Sequence, residues 1–176
     1  ANVKKSLHGF GVGRGDRVAI VLPNGPEMAT AFVTIAQTAT TAPLNPAYRQ
    51  EEYEFYLEDL KAKVIVVADD YEGPAVLAAE KFGVAVLRLS FNNSDPAGCF
   101  TLSAGGKIGD CDNAIPTEDD VALILHTSGT TSRPKIVPLL HSNLFASANN
   151  VRTSLELTKD DRCLNVMPMF HIHGLI

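Results

Sequence analysis

Short apolar runs rich in Val and Ile recur along this chain with helix-like stretches between them, and that alternation restricts the possible folds most. Val18-Ala19-Ile20-Val21-Leu22, Val64-Ile65-Val66-Val67-Ala68, Val84 to Leu89 and Val121-Ala122-Leu123-Ile124-Leu125 are such runs. Each reads as a strand, and the all-apolar run at 121–125 as a strand buried in a parallel sheet. Pro23-Asn24-Gly25 breaks the first run, and Pro26 then suits the first position of a helix with Glu27 near its positive end. Met28, Phe32, Ile35 and Ala39 recur at helical spacing and face the sheet. Thr41-Ala42-Pro43-Leu44 is a short extended segment that Asn45-Pro46 ends. Glu51 to Leu60 forms the next helix, with Tyr53, Tyr56, Leu57 and Leu60 inward and Glu51, Glu52, Glu54 and Glu58 outward as a solvated face. Pro74 to Phe82 is a helix stopped by Gly83. Strand, helix, strand, helix, strand implies right-handed crossovers, hence an α/β fold of mainly parallel sheet with flanking helices.

The spacing divides the chain into a first α/β piece at 1–90, a linker at 91–115 and a second α/β piece at 116–176. The linker is rich in Gly and Asn and without periodicity, apart from a short strand candidate at Phe100-Thr101-Leu102. Gly9 to Gly15 reads as a turn-rich lead-in. In the second piece Ile136 to Leu140 is a strand, Ser142 a candidate N-cap, and Leu144, Ala148, Val151 and Leu155 one face of a helix. Lys159-Asp160-Asp161 is a polar turn, and Cys163 to Met167 is expected to be a strand.

A formal charge of −5 and no basic run argue against a nucleic-acid partner. Met28 to Tyr48 carries no charge, but five threonines, Gln37, Asn45 and two prolines make it too polar and broken to span a bilayer. No membrane partner is expected. Cys99, Cys111 and Cys163 fit neither a zinc site nor a disulfide frame, so free thiols in a reducing cytoplasm are expected. The chain starts at Ala1 without a methionine and stops at Ile176, and is expected to be an excised piece.

Chemistry concentrates in two places. Thr127-Ser128-Gly129-Thr130-Thr131-Ser132-Arg133-Pro134-Lys135 follows the run at 121–125 and puts five hydroxyls before two cations. Loop N–H groups and hydroxyls of this kind hold polyphosphate oxygens, with Arg133 and Lys135 adding charge-assisted bonds. The same residue types also make plain turns, and the order is not that of a Walker A loop. Near the end, Phe170-His171-Ile172-His173-Gly174 alternates two histidines, yet no third ligand group accompanies them and no metal site is assigned.

The stretch from Thr127 to Lys135 resembles the signature phosphate loop of the adenylate-forming enzymes, the superfamily of acyl-CoA synthetases, luciferases and peptide-synthetase adenylation domains. That family usually has Gly where this chain has Ser132 and Ile136. The Ser-Arg-Pro-Lys form is most similar to oxalate and coumarate CoA ligases and their bacterial relatives. Arg14 to Ile20, Leu22-Pro23-Asn24 and Pro43-Leu44-Asn45-Pro46 also resemble the opening subdomain of acyl-CoA synthetases, and Phe170-His171-x-x-Gly174 resembles their second core motif.

The resemblance implies an AMP-forming acid-CoA ligase acting on a small carboxylic acid, with ATP, Mg²⁺ and a CoA or phosphopantetheine thiol as co-substrates. It implies that Thr127, Ser128, Gly129, Thr130, Thr131, Ser132 and Lys135 bind the ATP phosphates, that Lys135 and His171 are catalytic, and that Phe170 and His171 contact the acid. The family's later motifs and mobile C-terminal domain would lie beyond Ile176, so the isolated chain is expected to be inactive and to work with the remainder of its own enzyme. The alternative is a non-catalytic nucleotide- or anion-binding module.

Overall fold

The computed structural model describes residues 3–127 and 134–176. Its elements in chain order are α1 (Val3–Phe10), β1 (Arg17–Val21), α2 (Pro26–Ala36), β2 (Thr40–Pro43), α3 (Gln50–Leu60), β3 (Val64–Ala68) and α4 (Pro74–Phe82). Then follow β4 (Ala85–Ser90), β5 (Thr101–Ser103), β6 (Val121–Thr127), β7 (Lys135–Leu140), α5 (His141–Ser154) and the single turn α6 (Ile172–Leu175).

All seven strands form one sheet in the order β5-β4-β3-β1-β2-β6-β7. The inner five run parallel, and β5 and β7 pair antiparallel at the two edges. This is the mainly parallel α/β architecture that the apolar runs imply. Successive residues of each inner strand point to opposite faces, so each strand feeds two cores. Ala19, Val21, Ile65 and Val67 pack with Tyr53, Leu57 and Leu60 of α3 and Ala75 and Ala79 of α4. Val18, Ile20, Val64 and Val66 pack with Leu7 of α1 and Met28, Ala31 and Ile35 of α2 on the other side. Burial on both faces is why these strands show no alternation.

The strand order makes the chain cross the sheet between β5 and β6. Residues of this crossing lie over the start of β1: Ile108 donates its N–H to Phe10 O at 2.8 Å, and Arg14 donates its backbone N–H to Asp112 O at 2.9 Å. Gly11 has φ +86°, and a Cβ there would sit 1.9 Å from Gly109 O, so the crossing requires glycine at that position. Lys63 ties the same strap down by donating to Asp16 Oδ2 at 2.8 Å and Asp110 O at 2.9 Å.

Backbone pairing between β2 and β6 comes down to the single register pair Thr41↔Leu123. Side chains complete the joint. Thr40 Oγ1 donates to Val121 O and Thr41 Oγ1 to Ala122 O, both at 2.7 Å. The strands of the 1–90 and 116–176 stretches are thereby stitched into one sheet.

Four local expectations need correction. The lead-in is helical as far as Phe10, because α1 buries Leu7 against the sheet. The short edge strand is Thr101–Ser103, one residue later than the pattern suggests. Helix α5 starts at His141 rather than after a Ser142 cap; Asn143 Oδ1 accepts the Leu140 N–H at 2.9 Å instead. On the face that Leu144, Ala148, Val151 and Leu155 mark, Val151 is 42% and Leu155 65% exposed. Residues 163–167 are not a strand. Asn165 Oδ1 captures the Met167 N–H at 3.0 Å, and a local side-chain bond of this kind competes with ladder pairing. Pro168, without an N–H, then ends any extension.

Candidate functional site

Parallel strands point their carboxyl ends at one edge of a sheet, and ligands of open α/β folds bind there. Strands β1, β2 and β6 all run parallel, so the residues after Val21, after Pro43 and after His126 meet at this edge. Thr127 ends β6 and Lys135 begins β7, and the two are register partners across the antiparallel pair. The expected phosphate-binding residues Ser128, Gly129, Thr130, Thr131 and Ser132, with Arg133, lie outside the described residues. Thr127 and Lys135 are both exposed, and among the described residues no ion pair occupies the Lys135 ammonium. An uncommitted cation beside a hydroxyl at this edge fits a polyphosphate chemically.

Ile136, where the resembling family has Gly, is the second residue of β7, opposite His126. Its half-buried side chain packs against the core under α3. Here the β-branched residue serves the strand.

His126 carries a role that sequence reading missed. Its side chain is only 5% exposed, and its Nε2 lies 3.1 Å from Asp59 Oδ2 on α3. The ring meets Tyr56 edge-on at 4.6 Å between centroids, and Tyr56 stacks in turn on Tyr48 at 4.9 Å. Burial pushes the His126 pKa below its ordinary value, partly opposed by the hydrogen bond and charge of Asp59. Tyr53 donates its hydroxyl to Asn45 O at 2.8 Å, and burial raises both the Tyr53 and the Tyr48 phenol pKa. The strand residue just before Thr127 is thus held by an aromatic and acidic helix face. A histidine closing an apolar run, with a Tyr- and acid-rich helix earlier in the chain, was the available signal.

The second expected motif sits over the end of β1. Asn24 Oδ1 accepts the Met169 N–H at 2.9 Å, and Asn24 Nδ2 donates to Met167 O at 3.4 Å. Met169 and Leu175 pack partly buried against the α1/α2 core. Phe170 is half-buried and His171 exposed. The His171 and His173 rings stack at 5.1 Å with Nδ1 atoms 3.2 Å apart, and the His173 N–H also points to His171 Nδ1 at 3.4 Å. Among the described residues, no group of three His, Cys, Asp or Glu side chains could hold a metal ion, and no helix is long and apolar enough to cross a membrane. The two expected halves of the site therefore share one edge, Thr127 with Lys135 at the exit of β6 and Phe170 with His171 near the exit of β1.

The AMP-binding enzyme family matches residues 2–176. Oxalate–CoA ligase of Arabidopsis thaliana is 39% identical over 170 residues, covering 94% of this chain and 33% of that protein. The ATP-bound MatB structure from Rhodopseudomonas palustris superposes with a TM-score of 0.77 at 26% identity, over 99% of this chain and 34% of that one. Bacillus subtilis o-succinylbenzoate CoA synthetase in complex with its acyl-adenylate intermediate gives a TM-score of 0.73 at 26% identity, over 99% of this chain and 42% of that one. The chain spans about a third of the length of the curated relatives it matches.

Proposed function

The chain belongs to the AMP-binding enzyme family, and from that premise we propose that it forms the N-terminal portion of an ATP-dependent acid–thiol ligase. The reaction has two halves. A carboxylate oxygen attacks the α-phosphorus of ATP while the bond to pyrophosphate breaks, giving an acyl adenylate. A thiol, of CoA or phosphopantetheine, then bonds to the acyl carbon and AMP leaves. The first half needs positioning and charge neutralisation more than covalent help from the protein.

One observation supports this reading most. Lys135 is paired in register with Thr127 at the carboxyl edge of the parallel strands, exposed and uncommitted among the described residues. The proposed role of Lys135 is to offset charge on the departing pyrophosphate. Thr127, Ser128, Thr130, Thr131 and Ser132 supply hydroxyls for the phosphates, and Gly129 allows close backbone approach. Phe170 and His171 face the acid, with His171 orienting its carboxylate. Mg²⁺ accompanying the nucleotide would neutralise part of the phosphate charge. A small carboxylic acid is the proposed substrate class. The three free cysteines are compatible with a reducing cytoplasm, the proposed location.

The test is ATP–pyrophosphate exchange in the complete enzyme, with Lys135→Ala beside the parent protein. Removing one charged contact to a transition state costs on the order of 3 kcal/mol, so exchange should fall roughly a hundredfold or more. Unchanged exchange in Lys135→Ala would refute its assigned role. ATP binding without exchange on any carboxylic acid in the complete protein would favour a non-catalytic nucleotide-binding module. The 176-residue chain alone is expected to show no exchange.

A further inference from the structure

We propose that Asn24, in the turn leaving β1, is a positioning residue that holds the segment carrying Phe170 and His171 in register with the sheet edge. The proposal rests on the reading of those two residues as the part of the site that faces the acid.

At the bend of 167–169 the carbonyl of Met167 and the N–H of Met169 both face the side chain of Asn24. Asn24 meets both at once, accepting from Met169 N at 2.9 Å and donating to Met167 O at 3.4 Å. Its side-chain amide thus does what a neighbouring strand would do, and of the side chains only Asn and Gln pair one carbonyl with one NH₂ in this way. Between these two contact points lies Pro168, which has no N–H to offer a ladder. A side-chain clip is therefore a natural way to hold this stretch against the sheet.

Asn24 is well placed to act as the fixed partner. Leu22 before it is buried, Pro23 limits the backbone, and Pro26 begins α2 two residues later. The other end of the segment is closed on itself. His171 donates its N–H to Pro168 O at 3.1 Å, and Gly174 donates to His171 O at 2.9 Å. Asn165 Nδ2 donates to Gly174 O at 2.8 Å. A Cβ on Gly174 would lie 2.2 Å from Pro168 O, so the turn closes tightly around His171. The turn is tied together by its own hydrogen bonds, and Asn24, with the Met169 and Leu175 side chains packed against the core, sets where it stands.

The experiment compares Asn24→Ala and Asn24→Asp with the parent in the complete enzyme, reading amide hydrogen exchange, thermal midpoint and pyrophosphate-exchange kinetics. Asn24→Ala is expected to expose the Met169 amide while those of Ala19 and Ile20 in β1 keep their protection. The kcat/KM for the acid is expected to fall about 10- to 100-fold, the scale of a small misplacement at a reacting centre, with KM for ATP changing less than about twofold. Asn24→Asp keeps the acceptor for Met169 and loses the donor to Met167, so its defect should be smaller. Unchanged protection at Met169 would overturn the anchor. A loosened segment with unaltered kinetics, or equal losses for acid and ATP alongside a lowered thermal midpoint, would overturn the positioning role. Absence of exchange in the parent enzyme would instead refute the ligase reading, and the Met169 amide would still report whether the clip exists.

Discussion

Thr38, Thr40 and Thr41 make opposite predictions about stability, and they test how β6 is attached to the rest of the sheet. All three are buried, at 0%, 5% and 0% exposure. Valine is β-branched and nearly the same shape, so Thr→Val removes the hydroxyl with little change in backbone preference or volume. At Thr41 the lost group donates to Ala122 O at 2.7 Å, in a joint with only one backbone register pair. Leaving a buried carbonyl without that donor costs about 1–3 kcal/mol. Thr40→Val removes the equivalent bond to Val121 O and should cost about 1 kcal/mol. Thr38 Oγ1 is buried with no hydrogen-bond partner among the described residues. Thr38→Val should therefore be neutral or stabilising by about 1 kcal/mol, because it removes an unmet desolvation cost. In a chain of this size each kcal/mol moves the thermal midpoint by about 2–4 °C. Urea unfolding at matched m-values gives the free energies directly. A Thr41→Val loss within about 0.5 kcal/mol of zero, the range of ordinary surface substitutions, would refute the stitching argument. So would a Thr38→Val loss as large as that of Thr41→Val.

Burial lowers the His126 pKa, so between its folded value and the ordinary value near 6.5 the unfolded chain holds more protons, and stability falls as pH drops through that window. The parent should lose more stability than His126→Gln between neutral pH and the acid side of that window, measured by urea midpoints; equal losses would show that Asp59 fully offsets the burial. Separately, Phe145 (76% exposed), Leu155 (65%), Leu164 (85%) and Val166 (75%) leave large apolar groups in water. The 176-residue chain should bind a hydrophobic dye and associate with rising concentration in sedimentation, with Phe145→Glu and Leu164→Lys weakening both; a dye-silent monomer would contradict this.

Which parts of this molecule could be read from its sequence follows from the range of the forces involved. The inner strands β1, β3 and β6 are legible because burial on both faces demands continuous apolar residues, and α2 and α3 because a one-sided helix demands a periodic stripe. Strand order is not legible in that way. Placing β6 beside β2 depends on Thr40 and Thr41, which as residues in a short extended segment look like any other polar pair. The strand expected at 163–167 fails for a similar reason. Its apolar content suits a sheet, but Asn165 and Pro168 remove the backbone donors a ladder would use. The same segment shows why the proposed site is only half visible in the sequence. Thr127, Lys135, Phe170 and His171 stand out by chemistry and by resemblance, whereas Asn24 and His126 act through partners 145 and 67 residues away in sequence. Asn24 reads as a turn residue until the Met169 N–H is placed beside it, and His126 as a strand end until Asp59 and Tyr56 close around it. Residues proposed to bear the chemistry carry a local signature, while those proposed to hold them in place are identified by the fold.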